Sequence, residues 1–134
     1  MKKFLIILLV LSVLSLYGCS SSKQEEIIDL TGMTSIMSDS YMSNMISNFD
    51  DYKGKVIKVK GEYKKEIINN TTYHICMFQS SCCPYGIEFI SKDNKYPEEN
   101  SFIIIQGNFN RYGEENNGVK QIYYNLLNAE FKIS

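Results

Sequence analysis

At Gly54 the spacing of apolar residues along this 134-residue chain changes from a helical period to a strand period, so most of the remaining chain has to be built from sheet. Before the change, Ile36, Met37, Tyr41, Met42, Met45, Ile46 and Phe49 recur at offsets of about three to five, which predicts an amphipathic helix over 34–49. Thr34 or Ser35 is placed to cap it, and Asp50-Asp51-Tyr52-Lys53-Gly54 ends it in a turn. Met33, Met37, Met42 and Met45 have a copper-box look, but adaptable core filling is their ordinary role. After Gly54, Ile57, Val59 and Tyr63 alternate with Lys58, Lys60 and Glu62, predicting a half-buried strand over 55–63. An Asn-rich break at 66–71 separates it from a second strand at 72–78. A turn at 80–84, a short strand at 86–90 and a polar loop at 91–100 come next. The fourth strand is expected at 102–109, its continuous apolar start covered on both faces, then a charged turn at 111–118 and a long last strand at 119–133.

Five strands behind one helix predict a mainly β fold: a five-stranded, OB-like small barrel preceded by one amphipathic helix. Closure lets such a small sheet pair its own edges. The helix that usually precedes the fourth OB strand is here reduced to the loop at 91–100. Gly61 and Gly107, each late in a strand, suit the bends or bulges that close a barrel.

The first residues decide where this domain is expected to sit. Met1-Lys2-Lys3 is followed by an apolar run from Phe4 to Leu16, broken only by Ser12 and Ser15. A basic end and about a dozen apolar residues have the form of an export signal, too short to cross a bilayer core that needs about 20. Leu16-Tyr17-Gly18-Cys19 resembles the bacterial lipobox, with Tyr17 where a small residue is usual. The expected organisation is therefore a lipoprotein signal peptide at 1–18, a lipidated tether at 19–33 and the helix-plus-barrel domain at 34–134. Acyl chains on Cys19 would hold the protein in the cell membrane, on its extracytoplasmic face. Abundant Asn and absent Trp read as AT-rich coding and point to a Gram-positive host. Loss of Lys2 and Lys3 with the leader leaves 12 of the 14 basic residues against 15 acidic ones, a net charge of −3. That balance offers no electrostatic footprint for nucleic acid.

Tyr52 to Gly61, then Cys82-Cys83-Pro84-Tyr85-Gly86-Ile87-Glu88-Phe89, Ile105 to Phe109, and Tyr124 to Phe131 resemble a group of small bacterial OB-fold-like membrane lipoproteins with a Cys-Cys-x-x-Gly-Ile-Glu-Phe segment. The resemblance covers most of 35–133 and implies fold and location, not a particular activity. Members often carry an acidic residue just before the paired cysteines, where this chain has Gln79-Ser80-Ser81.

With Cys19 assigned to the lipid, Cys76, Cys82 and Cys83 remain, an odd number for an exported domain. His74, the sole histidine, shares a strand face with Cys76. If the 80–84 turn folds back, His74, Cys76, Cys82 and Cys83 make a Cys3His set suited to zinc or copper. A disulfide from Cys76 to Cys82 or Cys83, thiols left unpaired, or a vicinal Cys82–Cys83 redox pair, are the alternatives. No nucleophile–base set is visible, so no enzymatic activity is expected. Tyr63, Tyr73, Tyr112, Tyr123 and Tyr124 are of the type that lines OB ligand faces. With no basic residues interleaved, core and rim packing is their simpler expectation. Glu88 reads as a solvent-facing strand carboxylate, and Glu114 as part of a solvated turn. The functional expectation is a surface binding module for a protein or small-ligand partner. Metal delivery and thiol–disulfide exchange are the alternatives.

Overall fold

The computed structural model describes residues 26–78, 85–116 and 118–134. Cys19, Cys82 and Cys83, and with them the leader, the lipid attachment and the paired-cysteine turn, lie outside the described residues. The fold is mainly β, with six strands: β1 (Ile27–Asp29), β2 (Val56–Ile68), β3 (Thr71–Phe78), β4 (Tyr85–Ser91), β5 (Phe102–Asn116) and β6 (Val119–Ile133). Helices α1 (Ser35–Ser47) and α2 (Phe49–Tyr52) lie between β1 and β2.

The alternation read from the sequence becomes an inside and an outside. Ile57, Val59 and Tyr63 of β2 are buried, as are Ile103, Ile105 and Phe109 of β5. Ile87 and Phe89 of β4 and Leu126 and Ala129 of β6 complete the interior. Hydrogen bonding runs β2–β3–β4–β6–β5 and returns from β5 to β2, giving a barrel-like ring. The β4–β6 pairing is parallel and the other four ring pairings are antiparallel.

Strand β2 serves two partners in succession. Val56 to Glu62 pair with β5, and Glu62 to Ile68 pair with β3. The handover falls beside Gly61. A Cβ there would collide with the Met77 carbonyl and lie 2.9 Å from Cys76 Sγ. At Gly107 the β5–β6 register shifts, and a Cβ would stand 2.9 Å from the Leu127 carbonyl oxygen. Both glycines thus mark places where two strands approach too closely for a side chain, and the irregularity expected of them is present at Gly107.

The sequence pattern predicts five strands, and the structure adds a sixth. Ile27–Asp29, assigned to the tether, pair in parallel with Val56–Lys58 and occupy the β2 edge that β3 does not reach. Ile28 and Leu30 are buried, so the packed domain begins before residue 34. Lys58 Nζ sits 2.7 Å from Asp29 Oδ2. That ion pair first, and the Thr31 donors second, hold the Asp29 carboxyl at about 2.

Thr34 caps α1 by accepting from the Met37 amide. Met42, Met45 and Phe49 are buried, and Phe49 packs on Phe109 and Tyr124. The helix is shorter than predicted, because α2 takes over at Phe49. Ile36 and Met37, expected on the packed face, are 66% and 56% exposed. Strands β2 and β5 extend well past the predicted ends at 63 and 109, so the expected break at 66–71 and turn at 111–118 are mostly strand. The loop at 92–101 contains no helix, as expected, and its Tyr96 packs on His74 and Phe89.

Candidate functional site

The alternation of β3 separates the chain's reactive residues into an interior set and an exterior set. His74, Cys76 and Phe78 take the inner face, as their spacing predicts; Tyr73, Ile75 and Met77 take the outer one. Cys76 is a free, fully buried cysteine, opposite Tyr63 on β2 and Ile87 on β4. Burial pushes its thiol up to about 12, so it is protonated and behaves as a small apolar core group.

His74 lies two residues away in a different setting. Its ring stacks on Tyr96 with centroids 3.4 Å apart and planes 9° from parallel. Its Nδ1 lies 2.7 Å from the Tyr63 hydroxyl. Burial, and secondarily the charge of Lys65, hold the imidazole below its ordinary value. A neutral ring protonated on Nε2 accepts the Tyr63 O–H at Nδ1 and satisfies both groups. Burial raises the Tyr63 phenol, reinforced by Glu99 and Tyr96, so it stays protonated. Among the described residues no cluster of three or more His, Cys, Asp or Glu is placed to hold a metal ion. Of the expected set of four, the structure places His74 and Cys76 on one interior face, and the other two lie outside the described residues.

The outer faces build something larger. The β2–β3 turn and the long β5–β6 hairpin stand on either side of the exposed surface of β3 and β4 and bound a cleft of about 710 Å³. That volume falls within the size of small-molecule sites, roughly 300–1,000 Å³. Ile75 and Met77 line it from the outer face of β3, the interior residue Phe78 also borders it, α1 contributes Met42 and Ile46, and the hairpin contributes Tyr112 and Ile122. Four of the five tyrosines singled out in the sequence, Tyr73, Tyr112, Tyr123 and Tyr124, line it too. Tyr63 is the exception and belongs to the interior.

The polar groups of the cleft are linked. The Tyr112 hydroxyl donates to Glu88 Oε2 at 2.6 Å, and its ring stacks on Tyr123 with centroids 5.4 Å apart. Burial, then that hydrogen bond and the Glu88 charge, raise the Tyr112 phenol well above its ordinary value. Tyr73 is raised by burial and by the charges of Glu114 and Glu88. Glu88 and Glu114, which carry no site expectation from the sequence, both border the cleft. Glu88 faces the cleft and Tyr112, and Glu114 belongs to strand β5, not to a turn. The signal that could have found them is the strand parity that puts Glu88 with Gly86, and Glu114 with Tyr112, on one face.

No protein-family model matches the chain, and no curated protein matches it.

The His74 environment has a pH consequence. The folded state holds His74 below the value of 6.5 that applies when it is unfolded. The unfolded state therefore binds more protons across that interval, and stability falls as pH drops from 6.5 through the folded value. Urea midpoints measured from about pH 8 down to about pH 5 should decline below the unfolded value, and His74→Phe should flatten that decline. An unchanged slope in the variant would contradict a neutral His74 packed between Tyr63 and Tyr96.

Proposed function

We propose that this protein is a membrane-anchored, non-enzymatic binding module: an OB-like barrel that holds a small ligand in the cleft between its two long hairpins. The observation that carries the reading is the cleft itself. It is concave and mostly apolar, and its polar groups, among them Glu88, Glu114, Gln121 and the tyrosine hydroxyls, border one space. Ligand sites of this kind combine an apolar lining with a small number of placed polar groups.

The strand order supports the OB-like assignment. Leaving β1 aside, five strands close in the order β2–β3–β4–β6–β5, with the parallel pair between β4 and β6. OB barrels bind ligands on the face of their second and third strands, between the first hairpin loop and the last. Here those strands are β3 and β4, flanked by the β2–β3 and β5–β6 hairpins, where the cleft lies. The anchoring rests on sequence: the export signal, the Leu16-Tyr17-Gly18-Cys19 box and the polar stretch after it favour a domain at the outer face of a Gram-positive cell membrane. The acidic balance of the mature chain argues against nucleic acid as the ligand.

Tyr123→Ala removes an aromatic wall of the cleft with no buried core contact of its own. In a panel of small aromatic and aliphatic fragments monitored by ligand-observed NMR, the hits should weaken by about tenfold or more in this variant. Hits indifferent to Tyr123→Ala would place binding elsewhere. For the anchor, palmitate labelling of cells expressing the full chain should mark the protein, and Cys19→Ala should lose both the label and membrane fractionation. Label retained in Cys19→Ala would refute the lipid assignment.

A further inference from the structure

We propose that the cleft takes an organic cation, an ammonium or guanidinium group carried on an apolar or aromatic body. This deepens the binding-module reading and rests on it. The charges that line the space are the starting point. Glu88 and Glu114 both face it, and among the described lining residues there is no Lys, Arg or His. An anionic ligand would meet two carboxylates and no counter-charge, a repulsion that selects against phosphates, nucleotides and carboxylates. A cation meets the opposite field.

The aromatic groups strengthen that preference. Tyr112 and Tyr123 stack against one another, and Tyr73 adds a third ring beside Glu114. The negative face of a tyrosine ring attracts a cation, more strongly where water is partly excluded. The raised phenols of Tyr112 and Tyr73 carry the same message in a second form. Burial and the two carboxylates make a further negative charge costly here, so these rings remain neutral. The field that suppresses phenolate stabilises a positive head group in the same place.

Orientation is partly fixed in advance. The Tyr112 hydroxyl holds one oxygen of Glu88, and a carboxylate retains acceptor capacity beyond a single hydrogen bond. Ile75, Met77 and Ile122 offer the body of the ligand an apolar bed beside the charged groups. The cleft volume of about 710 Å³ admits a molecule much larger than a bare ion. An ammonium ion alone would leave the apolar lining unused.

Three compounds of one shape and different charge test this: phenethylamine, phenethyl alcohol and 3-phenylpropionate, with maltose as a neutral sugar. Each is titrated into the full chain in nonionic detergent while the resonances of Tyr73, Tyr112 and Tyr123 are followed by NMR. Phenethylamine should saturate, shift these tyrosines and bind roughly tenfold more tightly than the alcohol, with 3-phenylpropionate silent. Raising salt to about 0.5 M should weaken the amine alone. Glu114→Gln, at an exposed position with no core contact, should weaken the amine severalfold and leave the alcohol unchanged. The double variant Glu88→Gln/Glu114→Gln should bring the amine down to the alcohol. If the alcohol or maltose binds as tightly as the amine through the same tyrosines, the cation proposal is overturned and the cleft stands as a ligand site. If no probe shifts these tyrosines, the proposal and the cleft reading fall together. An amine affinity indifferent to Glu114→Gln also overturns the proposal, whatever the folding of the double variant.

Discussion

The close approach of β2 to β3 at Gly61 is the contact on which the rest of the molecule depends. Backbone lies against backbone there, with the Met77 carbonyl and the Cys76 sulfur occupying the space a side chain would need. At that point β2 passes from β5 to β3, and one strand can therefore join both sides of the sheet. Without the handover the sheet would keep two open edges, a liability in a small domain. Closure also explains why Cys76 is inert. It is sealed between Tyr63 and Ile87, directly beneath the glycine.

Closure sets the position of the cleft as well. Each of the long hairpins has one half in the ring and one half beyond it. The outer ends, Glu66–Ile68 with Thr71–Tyr73 and Arg111–Glu115 with Lys120–Tyr124, are paired and mostly exposed. They rise on either side of β3 and β4, and the space between them becomes the cleft. The tyrosines and glutamates on their facing surfaces are thus held by the same hydrogen-bond ladders that build the ring. A ligand site on strands is positioned more tightly than one carried on loops.

How much of this is legible in the sequence depends on burial. Ile57, Val59 and Tyr63 alternate with charged residues because one face is packed, and their strand can be read from the pattern. The apolar run at 102–105 reads as covered on both faces, yet Ile103 and Ile105 are buried and Phe102 is exposed. The outer halves of the hairpins have no such face. Glu66 to Thr71 and Arg111 to Gly118 therefore look like turns, although pairing carries β2 to Ile68 and β5 to Asn116. Strand β1 is hidden by its length, three residues beside a polar stretch, where a single buried Ile28 gives no period to detect. Ile36 and Met37 mislead in the opposite direction, apolar yet outside the packed stripe of α1. The site divides the same way. His74 and Cys76 draw attention by residue type, and the structure gives those two packing partners. Glu88, Glu114, Tyr73, Tyr112, Tyr123 and Tyr124 come from four strands and meet only after closure, so no local pattern announces them.

The central claim, that a side-chain-free crossing at Gly61 closes the ring, is tested most directly by urea unfolding of Gly61→Ala beside Gly32→Ala. A methyl group at Gly32 meets open space, whereas at Gly61 it meets backbone. Gly61→Ala should lose about 1–3 kcal/mol through forced repacking, and Gly32→Ala should stay within about 0.5 kcal/mol of the parent. Amide exchange across Val56–Gly61 and its β5 partners should accelerate in Gly61→Ala. A Gly61→Ala protein as stable as the parent, with that seam equally protected, would contradict the account.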